Sequence, residues 1–151
     1  MSAMSGTAST DIDAPIDAVW NIVQDVETAP TWQKGIDSMD VLDHDADGRA
    51  ASCQTGTDAK VKVFSARLSF RYEPPVRVSW VQESGDLKSM SGSWQLEDLG
   101  AGRTRAAYTL EADPGALLAR FLKGALEEKM RAVLIDGRPA ELKARAERPA
   151  P

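Results

Sequence analysis

Six consecutive segments of this chain alternate apolar or β-branched residues with polar ones, and the stretches between them are too short to hold a crossover. The segments are Ile36–Leu42, Ala50–Thr55, Val61–Tyr72, Val76–Glu83, Ser89–Leu96 and Thr104–Leu110. DADG, GTD, EPP, ESGD and LGAG separate them, and each is turn chemistry. Parallel strands need a connection of about a dozen residues or more, so this spacing predicts an antiparallel sheet built from hairpins.

Successive strand residues point to opposite faces, so parity assigns the sides. Ala66, Leu68, Phe70 and Tyr72 share one face, opposite Arg67, Ser69 and Arg71. Met90, Gly92, Trp94 and Leu96 oppose Ser91, Ser93, Gln95 and Glu97, while Thr104, Ala106, Tyr108 and Leu110 oppose Arg103, Arg105 and Glu111. One face is therefore apolar and the other wet. Parity slips near Val61 and Val63, where a bulge or twist is expected.

Helical signals flank this sheet. After a short strand at about Thr7–Asp13, Pro15 suits the first position of a helix whose Ile16, Val19, Trp20 and Val23 form one stripe. A second short helix, about Val26–Trp32, is interrupted by Pro30. A long C-terminal helix begins after Asp113-Pro114-Gly115, with Leu118, Phe121, Leu122, Ala125, Leu126, Met130 and Val133 on its apolar side. Gly124 would allow close approach to the sheet, and Gly137 with Pro139 should kink or interrupt the helix. The whole reads as one α+β domain over residues 7–147, with disordered tails at 1–6 and 148–151.

At 151 residues the chain fits a single domain, and its net charge of -5 removes the global phosphate neutralisation that nucleic-acid binding requires. Cys53 is the only cysteine, so no internal disulfide forms. The N-terminus has neither a basic region nor an apolar one, and no apolar run reaches the length that spans a bilayer, so a cytoplasmic protein without a membrane segment is expected.

Two stretches resemble a known family. "DIDAPIDAVWNIVQDVETAPTWQ" is similar to the opening of the polyketide cyclase/dehydrase and lipid transport family, with its Ala-Pro, Val-Trp helix and short helix ending in Trp. "EPPVRVSWVQESGDLKSMSGSWQLEDLGAGRTRAAYTLEADPG" looks like that family's later strands. The resemblance covers about Thr7 to Ala146. It implies the START-like (SRPBCC) helix-grip fold, a strongly bent antiparallel sheet of about seven strands wrapped around a long C-terminal helix, with two short helices after the first strand. It also implies a cavity for a small hydrophobic molecule between sheet and helix. On this chain the lining candidates are Trp32, Leu68, Phe70, Tyr72 and Trp80, then Met90, Gly92, Trp94 and Tyr108, and finally Leu118, Phe121 and Leu122. Gly92, lacking a side chain, would leave space.

Catalysis would need an acid and a base within reach of the substrate. The only histidine, His44, sits in a turn, and Glu73, Glu83, Glu97 and Glu111 carry the wet parity. Tyr72, Tyr108, Gln54, Ser52 and Thr104 remain inside. Some family cyclases use an interior Arg and Tyr to orient a polyketide; Arg67 falls roughly there, but its parity turns it outward. Tyr72, Tyr108 and Arg67 are thus weak catalytic candidates. The expectation is a carrier or binding protein for a lipid, polyketide or isoprenoid-quinone-like molecule. A cyclase, aromatase or dehydratase is the alternative, and an interaction module without a ligand the third. No cofactor is expected. Asp43-His44-Asp45-Ala46-Asp47-Gly48 opens like a calcium loop, but Gln54 stands where the closing Glu belongs, so no metal is expected either. Trp32 and its apolar neighbours suit either a cavity mouth or a homodimer patch.

Overall fold

A computed structural model describes residues 4–58, 63–120 and 124–148. Seven strands form one antiparallel sheet: β1 Met4–Ile12, β2 Ile36–His44, β3 Ala50–Asp58, β4 Val63–Glu73, β5 Arg77–Gly85, β6 Ser89–Gly100 and β7 Arg103–Asp113. Their spatial order is β1-β7-β6-β5-β4-β3-β2, a meander of hairpins from β2 to β7 with β1 returning beside β7. Register shifts in the β2–β3, β4–β5 and β6–β7 pairs help it curve. The shift in β4 lies between Arg67 and Leu68. Of the slip expected near Val61 and Val63, position 61 lies outside the described residues, whereas Val63 pairs in regular register with Asp58 and is 54% exposed.

Helix α1 (Ile16–Gln24) buries Val19, Trp20 and Val23, and a 3-10 turn at Val26–Thr31 contains Pro30 and buries Val26 and Ala29. Together they carry the chain from one sheet edge to the other. The first strand starts at Met4 rather than Thr7, because Met4, Ser5 and Gly6 pair with Ala112, Glu111 and Leu110 of β7. Residues 1–3 and 149–151 of the expected tails lie outside the described residues.

The C-terminal segment is several pieces rather than one long helix. Helix α2 spans Gly115–Ala119 and α3 spans Ala125–Arg131; a π-helical turn, Ala132–Asp136, then leads to α4, Arg138–Glu147. Gly124 caps α3 at φ +60°, a conformation that favours glycine, and a Cβ there would meet nothing within 4 Å. Its role is conformational, not the close approach expected from sequence. Ala125 is exposed. The π turn closes with the Gly137 amide donating to the Ala132 carbonyl at 2.8 Å. Pro139 then falls in the first turn of α4, where its missing N–H costs no hydrogen bond.

Helix α4 is the piece that locks onto β1. Leu142 is fully buried, Lys143 Nζ donates to the Asp11 carbonyl at 3.1 Å, and the Asp13 amide donates to Glu147 Oε2 at 2.8 Å. The exposed ion pairs of the wet face, Arg105–Asp11 at 2.8 Å and Arg103–Asp13 at 2.9 Å, lie in water and add little stability. Packing decides the docking. Leu142→Ala is expected to lower unfolding free energy by about 2–5 kcal/mol in urea denaturation; a loss under about 1 kcal/mol would mean that α4 is peripheral.

Candidate functional site

The concave face of the sheet, α1 with its following turn, and the C-terminal pieces enclose a cavity of about 140 Å³. Phe64, Leu68, Phe70, Val78, Met90 and Leu110 supply apolar wall from the sheet; Val23 and Val26 close one side, and Met130 and Leu134 another. A dry engineered cavity of about 150 Å³ takes up benzene, so this form has room for roughly one ring.

Aromatic rings run continuously across the wall. Phe70 and Trp80 stand 6.2 Å apart, Trp80 and Tyr108 5.7 Å, Tyr108 and Trp94 4.7 Å, and Trp94 and Trp32 6.1 Å between centroids. Cross-strand register produces this, since Phe70 faces Trp80 on β4–β5 and Trp94 faces Tyr108 on β6–β7. Pairs at these separations contribute about 0.5–1.5 kcal/mol beyond their burial. The ring series is therefore structural as well as a wall.

Of the lining candidates drawn from sequence, Trp32, Leu68, Phe70, Trp80, Met90, Trp94 and Tyr108 do border the cavity. Two do not. Gly92 leaves no space, because the Trp80 indole lies over it and a Cβ at 92 would come within 2.5 Å of Trp80 Cζ2. Tyr72 packs on Phe70 but borders a separate outer cleft with Asp45, Asp47, Arg49, Arg71 and Glu73; its hydroxyl donates to the Ala50 carbonyl at 2.7 Å. Phe121 and Leu122 lie outside the described residues, as does the side chain of Leu118. Gln54 is exposed, while Ser52 is spent on Asp43 at 3.1 Å and Thr104 on the Ala14 carbonyl at 2.8 Å. Arg67 points outward, half-exposed and paired with Glu83 at 3.0 Å, as parity requires.

The sequence candidates left out several wall residues, among them Phe64, Val78, Leu110 and Met130, and one that is charged and buried. Arg138 is 2% exposed and lies on the wall. Its Nη1 donates to the Lys34 carbonyl at 2.5 Å and to Glu141 Oε1 at 3.0 Å, while Glu141 Oε2 accepts from the Lys34 amide at 2.7 Å. Both backbone groups of Lys34 are thereby tied to α4, which fixes the turn bearing Trp32 and Gln33 at the cavity's polar end. A signal existed: Met130, Leu134, Arg138 and Leu142 recur at steps of four, so the stripe continues through Arg138.

Burial shifts three titratable side chains upward, away from neutral pH. Burial pushes the Tyr108 phenol above its usual range, outweighing the opposing pull of the Arg138 charge, and burial likewise raises Tyr72. Burial lifts the Cys53 thiol to about 11, so it is a poor nucleophile. His44 is exposed at the end of β2, and the Asp45 carboxylate that follows accepts from the amides of Asp47 at 2.9 Å and Arg49 at 3.0 Å. That loop is a hairpin turn held by its own aspartate.

Two predictions follow from these placements. Gly92→Ala should displace the Trp80 indole, lowering stability by about 1–3 kcal/mol and shifting tryptophan emission; unchanged emission and stability would show that the seat over residue 92 is loose. The chain has only two tyrosines, and both phenols are raised in the folded state. Their contribution to stability is complete below the unfolded value of about 10 and is lost as pH climbs through the folded values, because the unfolded chain releases its protons first. Absorbance titration should show almost no tyrosinate in native protein at about pH 10 and both tyrosines about half-ionised in urea; half-ionised native tyrosine at that pH would contradict the burial.

Several solved structures share the fold. A START superfamily protein from Mycobacterium smegmatis superposes with a TM-score of 0.75 at 17% identity, covering 95% of this chain and 97% of its own. The Zhui aromatase/cyclase from a Streptomyces species gives 0.77 at 18% identity, covering 97% and 95%. The di-domain aromatase/cyclase BexL gives 0.71 at 20% identity, with this chain spanning 98% of itself and 51% of BexL. At such identities the likeness establishes fold alone. No curated protein sequence matches. Among the described residues no helix is long and apolar enough to cross a membrane. The model of the family described as polyketide cyclase/dehydrase and lipid transport matches residues 12–137, and the chain belongs to that family.

Proposed function

We propose that this protein binds a small hydrophobic molecule in the cavity between its sheet and C-terminal helices, as a carrier or binding protein rather than as a catalyst. The wall chemistry carries this reading. Among the described lining residues the only carboxylate is Asp25, which is exposed, and no histidine is present. Concave, mostly apolar pockets with few polar groups suit ligand retention, and a carrier needs no acid or base. The closed volume suits roughly one ring, so a longer lipid, polyketide or isoprenoid-like molecule would widen the cavity or extend through its mouth.

A cyclase or dehydratase is the second reading, favoured by Tyr108 standing beside Arg138 on the wall. Tyr108→Phe separates the two. A carrier keeps its affinity within a few-fold, whereas a cyclase loses turnover while still binding.

Native mass spectrometry of freshly purified protein, followed by denaturing extraction, tests the binding reading itself. A defined added mass that proves to be a lipid, quinone or aromatic molecule is expected. Ala66 lies on the wall and is buried, so Ala66→Leu fills part of the cavity. It should reduce ligand affinity about tenfold or more while leaving the fold intact. A ligand-free mass, together with no thermal stabilisation by a panel of such molecules, would refute the proposal and leave an interaction module.

A further inference from the structure

We infer that Met4, Met39 and Met90 form a yielding end of this cavity and set the length of hydrophobic chain that it accepts. The inference rests on the binding reading above and goes on to name the residues that select among ligands.

All the methionines among the described residues border the cavity: Met4, Met39 and Met90 from the sheet, and Met130 from α3. Methionine is unbranched and has three rotatable bonds, so it refills irregular space readily. Cross-strand register gives the sheet methionines room to use that freedom. Met4 and Met90 stand on either side of Ala112, while Met39 faces Thr55, which in turn faces Ala66. Every residue of both rows borders the cavity, so small side chains lie next to each thioether on the same wall. Pairing of β5 with β6 ends at Val81 and Ser91, which leaves Met90 without a ladder neighbour on its β5 side.

The other end of the cavity is built to stay in place. Phe70 faces Trp80 and Trp94 faces Tyr108, so large rings adjoin large rings, at 6.2 Å and 4.7 Å between centroids. The Trp80 indole is wedged over Gly92, where a Cβ would come within 2.5 Å of its Cζ2. Tyr108 and Ala112 both border the cavity on β7, and four residues of strand separate them by about 13 Å. The closed volume of about 140 Å³ holds roughly one ring, so added ligand length requires wall to move. Turning an unbranched side chain beside an alanine disturbs less than displacing a packed ring. The added length therefore goes toward the methionines.

The test is a homologous series, ethylbenzene, butylbenzene and hexylbenzene, titrated into the full chain and followed by tryptophan fluorescence. Each methylene that the protein buries raises affinity about fourfold, so a yielding wall predicts hexylbenzene at least about tenfold tighter than ethylbenzene. Isoleucine has about the volume of methionine and suits a strand, but it is stiff at χ1. Met4→Ile, Met39→Ile and Met90→Ile combined should lower the hexyl-to-ethyl affinity ratio at least about threefold. Phe70→Leu, at the ring end, should leave that ratio within about twofold. If the combined variant does not unfold cooperatively, the single variants carry the test at the same threshold. A ratio below about tenfold in the unaltered protein overturns the inference. So does a smaller loss in the isoleucine variants, or an equal loss in Phe70→Leu. Each of these outcomes leaves the cavity reading standing; binding of none of the three hydrocarbons removes both.

Discussion

A buried charge holds the polar end of this fold together. Arg138, at the first position of α4, reaches the Lys34 carbonyl, and Glu141, one turn later, takes the Lys34 amide. Removing either side chain would leave the other without its partner, and breaking such a pair costs about 3–5 kcal/mol. The clamp is placed where it governs most. On one side lies the turn carrying Trp32 and Gln33, and on the other the helix that docks on β1 through Leu142 and Lys143. The cavity is bounded by what these two elements hold apart.

The apolar wall has its own logic. Trp80 lies over Gly92, so the glycine seats a large ring instead of opening a void. The freed volume lies further along, between the aromatic series and Met130 and Leu134. A native interior normally closes such spaces, because unfilled volume forfeits dispersion contacts. Here about 140 Å³ stays open beside many large side chains. Burial holds the Tyr108 phenol protonated, and Glu141 is engaged by Arg138 and the Lys34 amide.

Much of the sheet was legible because its signal is local. Alternation along β4, β6 and β7 fixed which residues face inward, and Leu68, Phe70, Trp94 and Tyr108 border the cavity as parity implied. Parity was less informative where a single side chain decides. Tyr72 has the inward parity, yet near the end of β4 it reaches the Ala50 carbonyl at the outer cleft. Gly92 has it too, but a neighbouring strand fills its place. The C-terminal segment was hardest. Its apolar residues suggested one long helix interrupted only near Gly137 and Pro139; the π turn before Gly137 is such an interruption, but the positive φ at Gly124 divides it earlier as well. Arg138 lies inward on the stripe shared with Met130, Leu134 and Leu142.

The central claim is that the space between sheet and C-terminal helices is a dry, apolar container. Crystallography under xenon pressure tests it most directly, because xenon enters apolar cavities without needing a polar partner. A xenon site bordered by Phe70, Trp80, Leu110 and Met130 is the predicted result. A cavity filled by inward rotation of those side chains, with no xenon bound among them, would contradict the account.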